Sequence, residues 1–338
     1  MFDDKFDDSG SLRSSGDAEN CIAEFLQASG KFSEAFYIFI CLVMKTTKRI
    51  STYCDSETKT LKEVVLGYPD NFHRDPSIVE IVNVTQEAFY NSPNKPTAEK
   101  AKPEFNIFQK TMENNGIRVH RPQPCRVADQ FTPRDIGFVI GNKFFRSSMA
   151  KESRKNEWHG IGELIKNFNR VIHVPDSIVI EGGDIIVDKG YVFVGISQRT
   201  TMLGFEWLKS QLQGSDFQTI PVPLKSLSDG EDCLHLDCAF VPVGRRHALI
   251  YPDGFQTIRR EIIENYHWIE VTKKEQMELG TNVLSLSPVC VITRDIAKRI
   301  NRILNDLGLE VIPLEFDEAP KTGGSFRCCT LPLIRKRS

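Results

Sequence analysis

The chain of 338 residues carries 43 Lys and Arg against 45 Asp and Glu, a formal net charge of −2, with 40% hydrophobic and 26% charged residues. This is the composition of a globular protein and excludes collagen-like, coiled-coil and wholly disordered classes. Near-neutral charge leaves no electrostatic footprint for nucleic acid. The longest apolar run, 35–44, has ten residues, against the ~20 that a membrane helix needs, and it lacks the basic leader and cleavage site of a signal peptide. Nine cysteines, an odd number without the spacing of a small disulfide framework, point to a reducing cytoplasm with thiols free for chemistry.

Residues 1–50 differ from the rest. The first 20 are rich in Asp, Ser and Gly and read as a tail, followed by a helix over about 18–44. This segment is expected to be an extension ahead of a folded protein that starts at Met44, with the catalytic domain over 51–338. From Ser51 the pattern alternates between strand and helix. Residues 61–67 form a strand, and 75–90 a helix with Asp75 as N-cap and Pro76 at its first position. A second helix covers 98–115 and stops near Gly116, and a short strand follows at 117–120. A buried strand at 135–141 turns through Asn142-Lys143, a helix is expected over 156–169, and a strand over 171–174. Strands at 184–187 and 191–196 flank Asp188-Lys189-Gly190, a hairpin. Then come a helix at 200–213 and a strand at 217–222; strands at 233–241 and 246–251 with a helix at 254–266; strands at 282–287 and 289–293 with a helix at 294–307; and strands at 310–314 and 328–333. The recurring unit is strand–strand–helix–strand, which predicts an α/β fold of radially or serially stacked units.

Several clusters can carry chemistry. Cys328 stands in Gly323-Gly324-Ser325-Phe326-Arg327-Cys328. The glycines free the backbone to place it, and the adjacent Arg favours a nucleophilic thiolate; a buried structural thiol is the commoner fate of such a residue. On a strand, Cys233, His235 and Asp237 would share one face. That face suits proton transfer by His235 beside a carboxylate, zinc ligation by the same three residues, or a structural hydrogen bond. Glu181-Gly182-Gly183-Asp184 places two carboxylates around a tight turn, Asp135 precedes a buried strand, and Arg154 and Arg199 are candidate clamps for a carboxylate. Taken together, one Cys, one His and three acids (Asp135, Glu181 and Asp237) suit a planar cation with an electrophilic carbon. Carboxylates fix the plane, sulfur attacks the carbon, and the imidazole serves the departing nitrogen and then water. The acids already balance the charge of such a cation, so no metal is needed.

The order Thr132-Pro-Arg-Asp135, Glu181-Gly-Gly-Asp184, Gly195-Ile-Ser-Gln-Arg199-Thr, His235-Leu-Asp237, Gly280-Thr-Asn-Val-Leu284 and Gly-Gly-Ser-Phe-Arg-Cys328 resembles the arginine deiminase family. That family sits with dimethylarginine dimethylaminohydrolases, agmatine deiminases and amidinotransferases in the guanidino-modifying superfamily. The resemblance implies a five-bladed α/β propeller (the pentein fold) of ββαβ units around a central pocket. It also implies Cys328 as nucleophile, His235 as general acid/base and Glu181 as its assistant on the guanidinium. Asp135 and Asp237 would bind guanidinium nitrogens, with Asp184 nearby, and Arg154 and Arg199 would hold the substrate carboxylate. No cofactor is implied. The partner is a small guanidino compound; nucleic acid and membrane are not expected, and a homo-oligomer is allowed. His-Leu-Asp237 points to arginine, giving citrulline and ammonia, because dimethylarginine hydrolases usually carry Lys at the position of Asp237. Methylated arginine is the nearest alternative, amidino transfer the next, and a silent ligand-binding propeller the reading from another class.

Overall fold

The computed structural model describes residues 49–72, 80, 83–90, 92–125, 127 and 130–337. The tail and helix expected within 1–48, and the cap expected at Asp75-Pro76, lie outside them. Five three-stranded sheets carry the fold, and in each the middle strand pairs antiparallel on one side and parallel on the other. In four of them a tight hairpin makes the antiparallel pair, and in all five a crossover makes the parallel one. The second blade consists of β3 (Gly137–Ile140), β4 (Lys143–Arg146) and β5 (Val171–His173). The third consists of β6 (Ile185–Asp188), β7 (Tyr191–Ile196) and β8 (Gln218–Pro223). The fourth holds β9 (Phe240–Val243), β10 (His247–Ile250) and β11 (His267–Glu270), and the fifth β12 (Leu284–Ser287), β13 (Cys290–Arg294) and β14 (Glu310–Leu314). In the first blade β1 (Leu61–Leu66) pairs parallel with β2 (Arg118–His120) and antiparallel with β15 (Thr330–Arg335), so the last strand closes the propeller onto the first.

Local chemistry explains the elements. Strands β6 and β7 are rich in Ile, Val and aromatic residues and almost wholly buried, and Lys189 (φ 52°) and Gly190 (φ 80°) join them through a turn whose twist suits a two-residue hairpin. In the first blade the crossover helix Ala98–Asn114 buries Ala98, Ala101, Phe105, Phe108 and Met112, alternating steps of three and four that line one face. Thr97 caps it by accepting the Lys100 amide. Its aromatic side chains meet Phe316 and Phe326 in one core cluster.

The crossovers are shorter than expected where the backbone is claimed by something else. The helix expected over 75–90 is non-helical at Glu80 and begins at Val84, where Asn83 Oδ1 accepts the Gln86 amide. The helix expected over 156–169 is a 3₁₀ turn at Glu157–Ile161 followed by four α-helical residues, Gly162–Ile165. Two glycines weaken it, and a side chain at Gly160 would press on Gln130. The helix expected from 254 starts at Arg260, because Phe255 and Gln256 are tied to the end of β8. The one expected from 294 starts at Lys298, since Arg294 completes β13 opposite Leu314. The strand expected from 233 begins only at Phe240: Leu236–Cys238 is a 3₁₀ turn. Cys233, His235 and Asp237 therefore do not share a strand face. Among the described residues no helix is long and apolar enough to cross a membrane, and seven cysteines are free thiols.

Candidate active site

A tight turn lies just upstream of the strand that pairs antiparallel with the middle strand of each blade, and most candidate residues, though not Arg154 and Arg199, sit in or beside these turns. Asp135 precedes β3, Asp184 precedes β6, Asp237 precedes β9, Asn282 precedes β12 and Cys328 precedes β15. Hydrogen bonds link each turn to the next around a closed circle. The Arg134 amide donates to Cys328 O (3.2 Å), the Gly182 amide to Asp135 O (3.1 Å), and the Leu236 amide to Asp184 Oδ1 (2.9 Å). Thr281 Oγ1 donates to Asp237 O (2.9 Å), and the Cys328 amide to Asn282 Oδ1 (3.0 Å). Five loops far apart in sequence are thereby fixed at hydrogen-bond precision by main chain and short side chains.

Asp135, Arg154, Arg199, His235 and Cys328 line one cavity of about 20 Å³, together with Asn83, Gln86, Thr132 and Gly323. Cys328 Sγ accepts from Asn282 Nδ2 at 3.0 Å and stands 3.6 Å from Asp237 Oδ2. Burial pushes its thiol well above the usual range, and Asp237 and Asp135 reinforce the shift against the smaller opposing pull of Arg327. The arginine next to the cysteine in sequence thus does not make a resting thiolate. His235 Nε2 is bonded to Glu181 Oε2 at 2.9 Å, and its Nδ1 lies 3.9 Å from Asp135 Oδ1. Burial alone would lower the imidazole, but Asp135, Glu181 and Asp184 outweigh it and raise it to about 9. Glu181 moves the other way. Burial raises it, yet His235, Arg199 and Arg154 hold it at about 2. The pair rests as imidazolium and carboxylate.

Asp135 Oδ2 accepts from Arg154 at 2.9 Å, whereas its Oδ1 is buried with no hydrogen-bond partner among the described residues. A bare carboxylate oxygen at a cavity wall is a strong demand for a cationic donor. Gly183 makes the approach feasible, since a Cβ there would fall 2.6 Å from the His235 ring and 2.9 Å from Asp135 Oδ1.

The remaining acids stand behind the wall. Glu181 is fully buried, with Oε1 accepting the Ala150 amide at 2.9 Å and Arg199 in contact with both oxygens. Asp184, expected beside substrate, does not line the cavity; it accepts the Leu236 amide and the Ser197 hydroxyl (2.7 Å), and burial pushes its carboxyl up to about 7. Asp237, expected on the guanidinium, is fully buried and bonded to Arg327 NH1 at 2.8 Å. Arg154, expected on the substrate carboxylate, is bonded to Glu157 twice, to Asp135 and to Thr132. It stiffens the Asp135 turn, and Arg199 leans on Glu181. Sequence reasoning did not single out Asn282, Glu57 or Glu157. Asn282 stood in view within Gly-Thr-Asn-Val-Leu, but only the fold brings it to the sulfur. Asp135, Glu181 and His235 present ligand atoms within 4.8 Å of one another, the spacing of a metal cluster. Cations of the protein already occupy these carboxylates, with Arg154 on Asp135 and Arg199 and His235 on Glu181. Cys233, part of the zinc alternative, packs in the core with Leu236 and Ala239.

A family model described as N,N dimethylarginine dimethylhydrolase, eukaryotic, matches residues 68–335. Protein YkgA of Bacillus subtilis, itself uncharacterised, is 34% identical over 301 residues, covering 84% of this chain and 96% of its own. Among solved structures, SxtG, an amidinotransferase of Microseira wollei from the saxitoxin biosynthetic pathway, superposes with a TM-score of 0.71 at 19% identity, covering 85% of this chain and 98% of its own. The dimethylarginine dimethylaminohydrolase of Pseudomonas aeruginosa, complexed with citrulline, does so with 0.68 at 20%, covering 81% and 99%. The chain belongs to the family of that dimethylarginine dimethylhydrolase model, among the pentein-fold enzymes that act on guanidino carbon–nitrogen bonds.

Proposed function

We propose that the protein hydrolyses the terminal carbon–nitrogen bond of an arginine-type guanidinium, with Cys328 as nucleophile and His235 as acid and base. The observation that carries this reading is Asp135 Oδ1, which has no hydrogen-bond partner among the described residues and faces the cavity that Cys328 and His235 share. A guanidinium hydrogen-bonded to that oxygen presents a flat electrophilic carbon to the sulfur. Its positive charge offsets the acids that hold the thiol protonated, so the thiol proton leaves as the cation enters. Sulfur then bonds to carbon, Nδ1 of His235 gives its proton to the departing nitrogen, and the C–N bond breaks to leave an S-alkylthiouronium. Neutral His235 next takes a proton from water while the water oxygen bonds to carbon. The C–S bond breaks, returning sulfur and a ureido product. Asn282 Nδ2 stabilises the anionic sulfur at either end of the cycle.

An ω-methylated arginine is the preferred substrate. Asp237 argued for unsubstituted arginine only as a ligand of a guanidinium nitrogen, and its carboxylate is instead committed to Arg327. With Asp135 the only acid among the described cavity-lining residues, a nitrogen carrying methyl groups leaves no carboxylate of theirs unsatisfied, and the family model supports the same choice. The test is a panel of arginine, mono- and dimethylarginine, agmatine and guanidinoacetate, scored separately for ureido product, released amine and transferred amidine. Citrulline with methylamines as the fastest release supports the proposal; ammonia from arginine as the fastest reaction returns the substrate to arginine. Amidine appearing on an added amine replaces hydrolysis by transfer. Turnover by Cys328→Ser removes the nucleophile assignment.

A further inference from the structure

Behind the nucleophile runs a buried chain of charges that the mechanism above does not use. Arg327 is fully buried. Its Nε donates to Glu57 Oε1 at 2.7 Å, NH1 to Asp237 Oδ2 at 2.8 Å and NH2 to Ile185 O at 2.9 Å. Asp237 Oδ2, the oxygen that accepts from Arg327, is also the one 3.6 Å from the Cys328 sulfur. One carboxylate oxygen is thus shared between a guanidinium and the nucleophile, and Glu57, contributed by the segment ahead of the first strand, holds the far side of that guanidinium. Arg134 lies 3.7 Å from Glu57 and donates from Nε to Arg327 O at 3.2 Å, which fixes the chain sideways.

We propose that Glu57 and Arg327 are positioning residues: Arg327 holds Asp237 against the Cys328 sulfur, and Glu57, bound to the far side of the same guanidinium, draws part of its positive charge away from that sulfur. The proposal rests on Cys328 being the nucleophile. The charge argument is simple. Arg327 bound to one acid would present most of its positive charge to Asp237 and the sulfur beyond; bound to two, it presents less. Glu57 removes positive charge from the nucleophile's surroundings without touching it. The charged groups facing Cys328 are Asp237 and Asp135 with Cys238 on the raising side and Arg327 on the lowering side, with His235, Arg154 and Arg199 across the cavity. Arg199 and His235 are held by Glu181 across the cavity, whereas Arg327 is held by Glu57 on the side away from it.

The experiment measures alkylation of Cys328 by iodoacetamide against pH, without substrate, in the full chain, with labelling at Cys328 quantified by peptide mass spectrometry to separate it from the other thiols. Glu57→Gln should move the midpoint down by roughly one pH unit, and Arg327→Gln should move it up by a similar amount, each unit corresponding to about 1.4 kcal/mol between the charge states. A merely structural role would loosen the site in both variants and move both midpoints the same way. Opposite shifts support the proposal. Unchanged midpoints in folded variants, or shifts of one sign, overturn it. Should either variant fail to fold, Asp237→Asn takes its place: a downward shift supports the relay and an unmoved midpoint overturns it. Because the readout needs no turnover, its failure leaves the nucleophile assignment standing, and that assignment falls separately if Cys328→Ser retains activity.

Discussion

Asn282 touches Cys328 twice, accepting its amide and donating to its sulfur. Hydrogen bonds to charged groups contribute about 1.5–3 kcal/mol, so Asn282→Ala should lower kcat about ten- to a hundredfold with the thermal midpoint little moved. A kcat within twofold of the parent would contradict the role. The charge states of His235 and Cys328 make a second claim. The proposed reaction needs imidazolium and thiolate together, while burial and the neighbouring acids favour imidazolium and thiol in the resting protein. One proton must leave the sulfur while His235, at about 9, keeps its own. The rate constant kcat/KM should therefore climb about tenfold per pH unit from pH 6 to 8 and bend near 9. A flat profile below pH 8 would show that the thiolate is already formed. His235 also links pH to stability. Its folded value exceeds the unfolded value of about 6.5, so its contribution is complete below that pH and is lost as pH rises through about 9. The residue types at this scale were legible in sequence: a cysteine, a histidine and acids beside glycines. Their ranking from the cavity was not, because whether Asp237 faces a ligand or Arg327 depends on a partner 90 positions away.

At the scale of elements, the turn carrying Cys328 is buttressed by aromatic packing. Phe326, two residues upstream, is fully buried, stacks on Phe316 with ring centroids 4.6 Å apart and meets Phe108 of the long crossover helix edge-on at 4.9 Å. Phe326→Ala should cost about 3–5 kcal/mol of stability, read from the urea midpoint, with a loss of less than 1 kcal/mol contradicting this packing. The strands and hairpins were readable because the 61–66, 185–196 and 310–314 segments alternate or run apolar between turn residues. Several crossover helices were overestimated for a common reason. Their first residues look helical locally but are used by neighbouring strands, as Phe255 and Gln256 are by β8. The 3₁₀ turn at Leu236–Cys238 was invisible for the same kind of reason: its amide bond to Asp184 spans 52 residues.

At the scale of the whole molecule, five blades are held in a closed circle by the hydrogen bonds between their turns and by one strand exchange, β15 with β1. Deleting 330–337 would strip β1 of its antiparallel partner and expose both an unpaired edge and the buried face of the first blade. Such a protein should lose its single cooperative urea transition and become sensitive to limited proteolysis across the first and second blades; an intact cooperative transition would show that the circle does not need its seam. The repeat of units was visible in sequence, but the seam was not, since nothing local in 328–333 says that it belongs with residues 61–66. That seam has a temporal consequence. The Cys328 sulfur, the proposed nucleophile, lies at the threshold of the final strand, so a chain leaving the ribosome from its amino end carries its acids, its imidazole, Arg154 and Arg199 long before that sulfur. In the proposed mechanism the attacking thiol is thus the last part of the site to be made, arriving only as the ring is sealed.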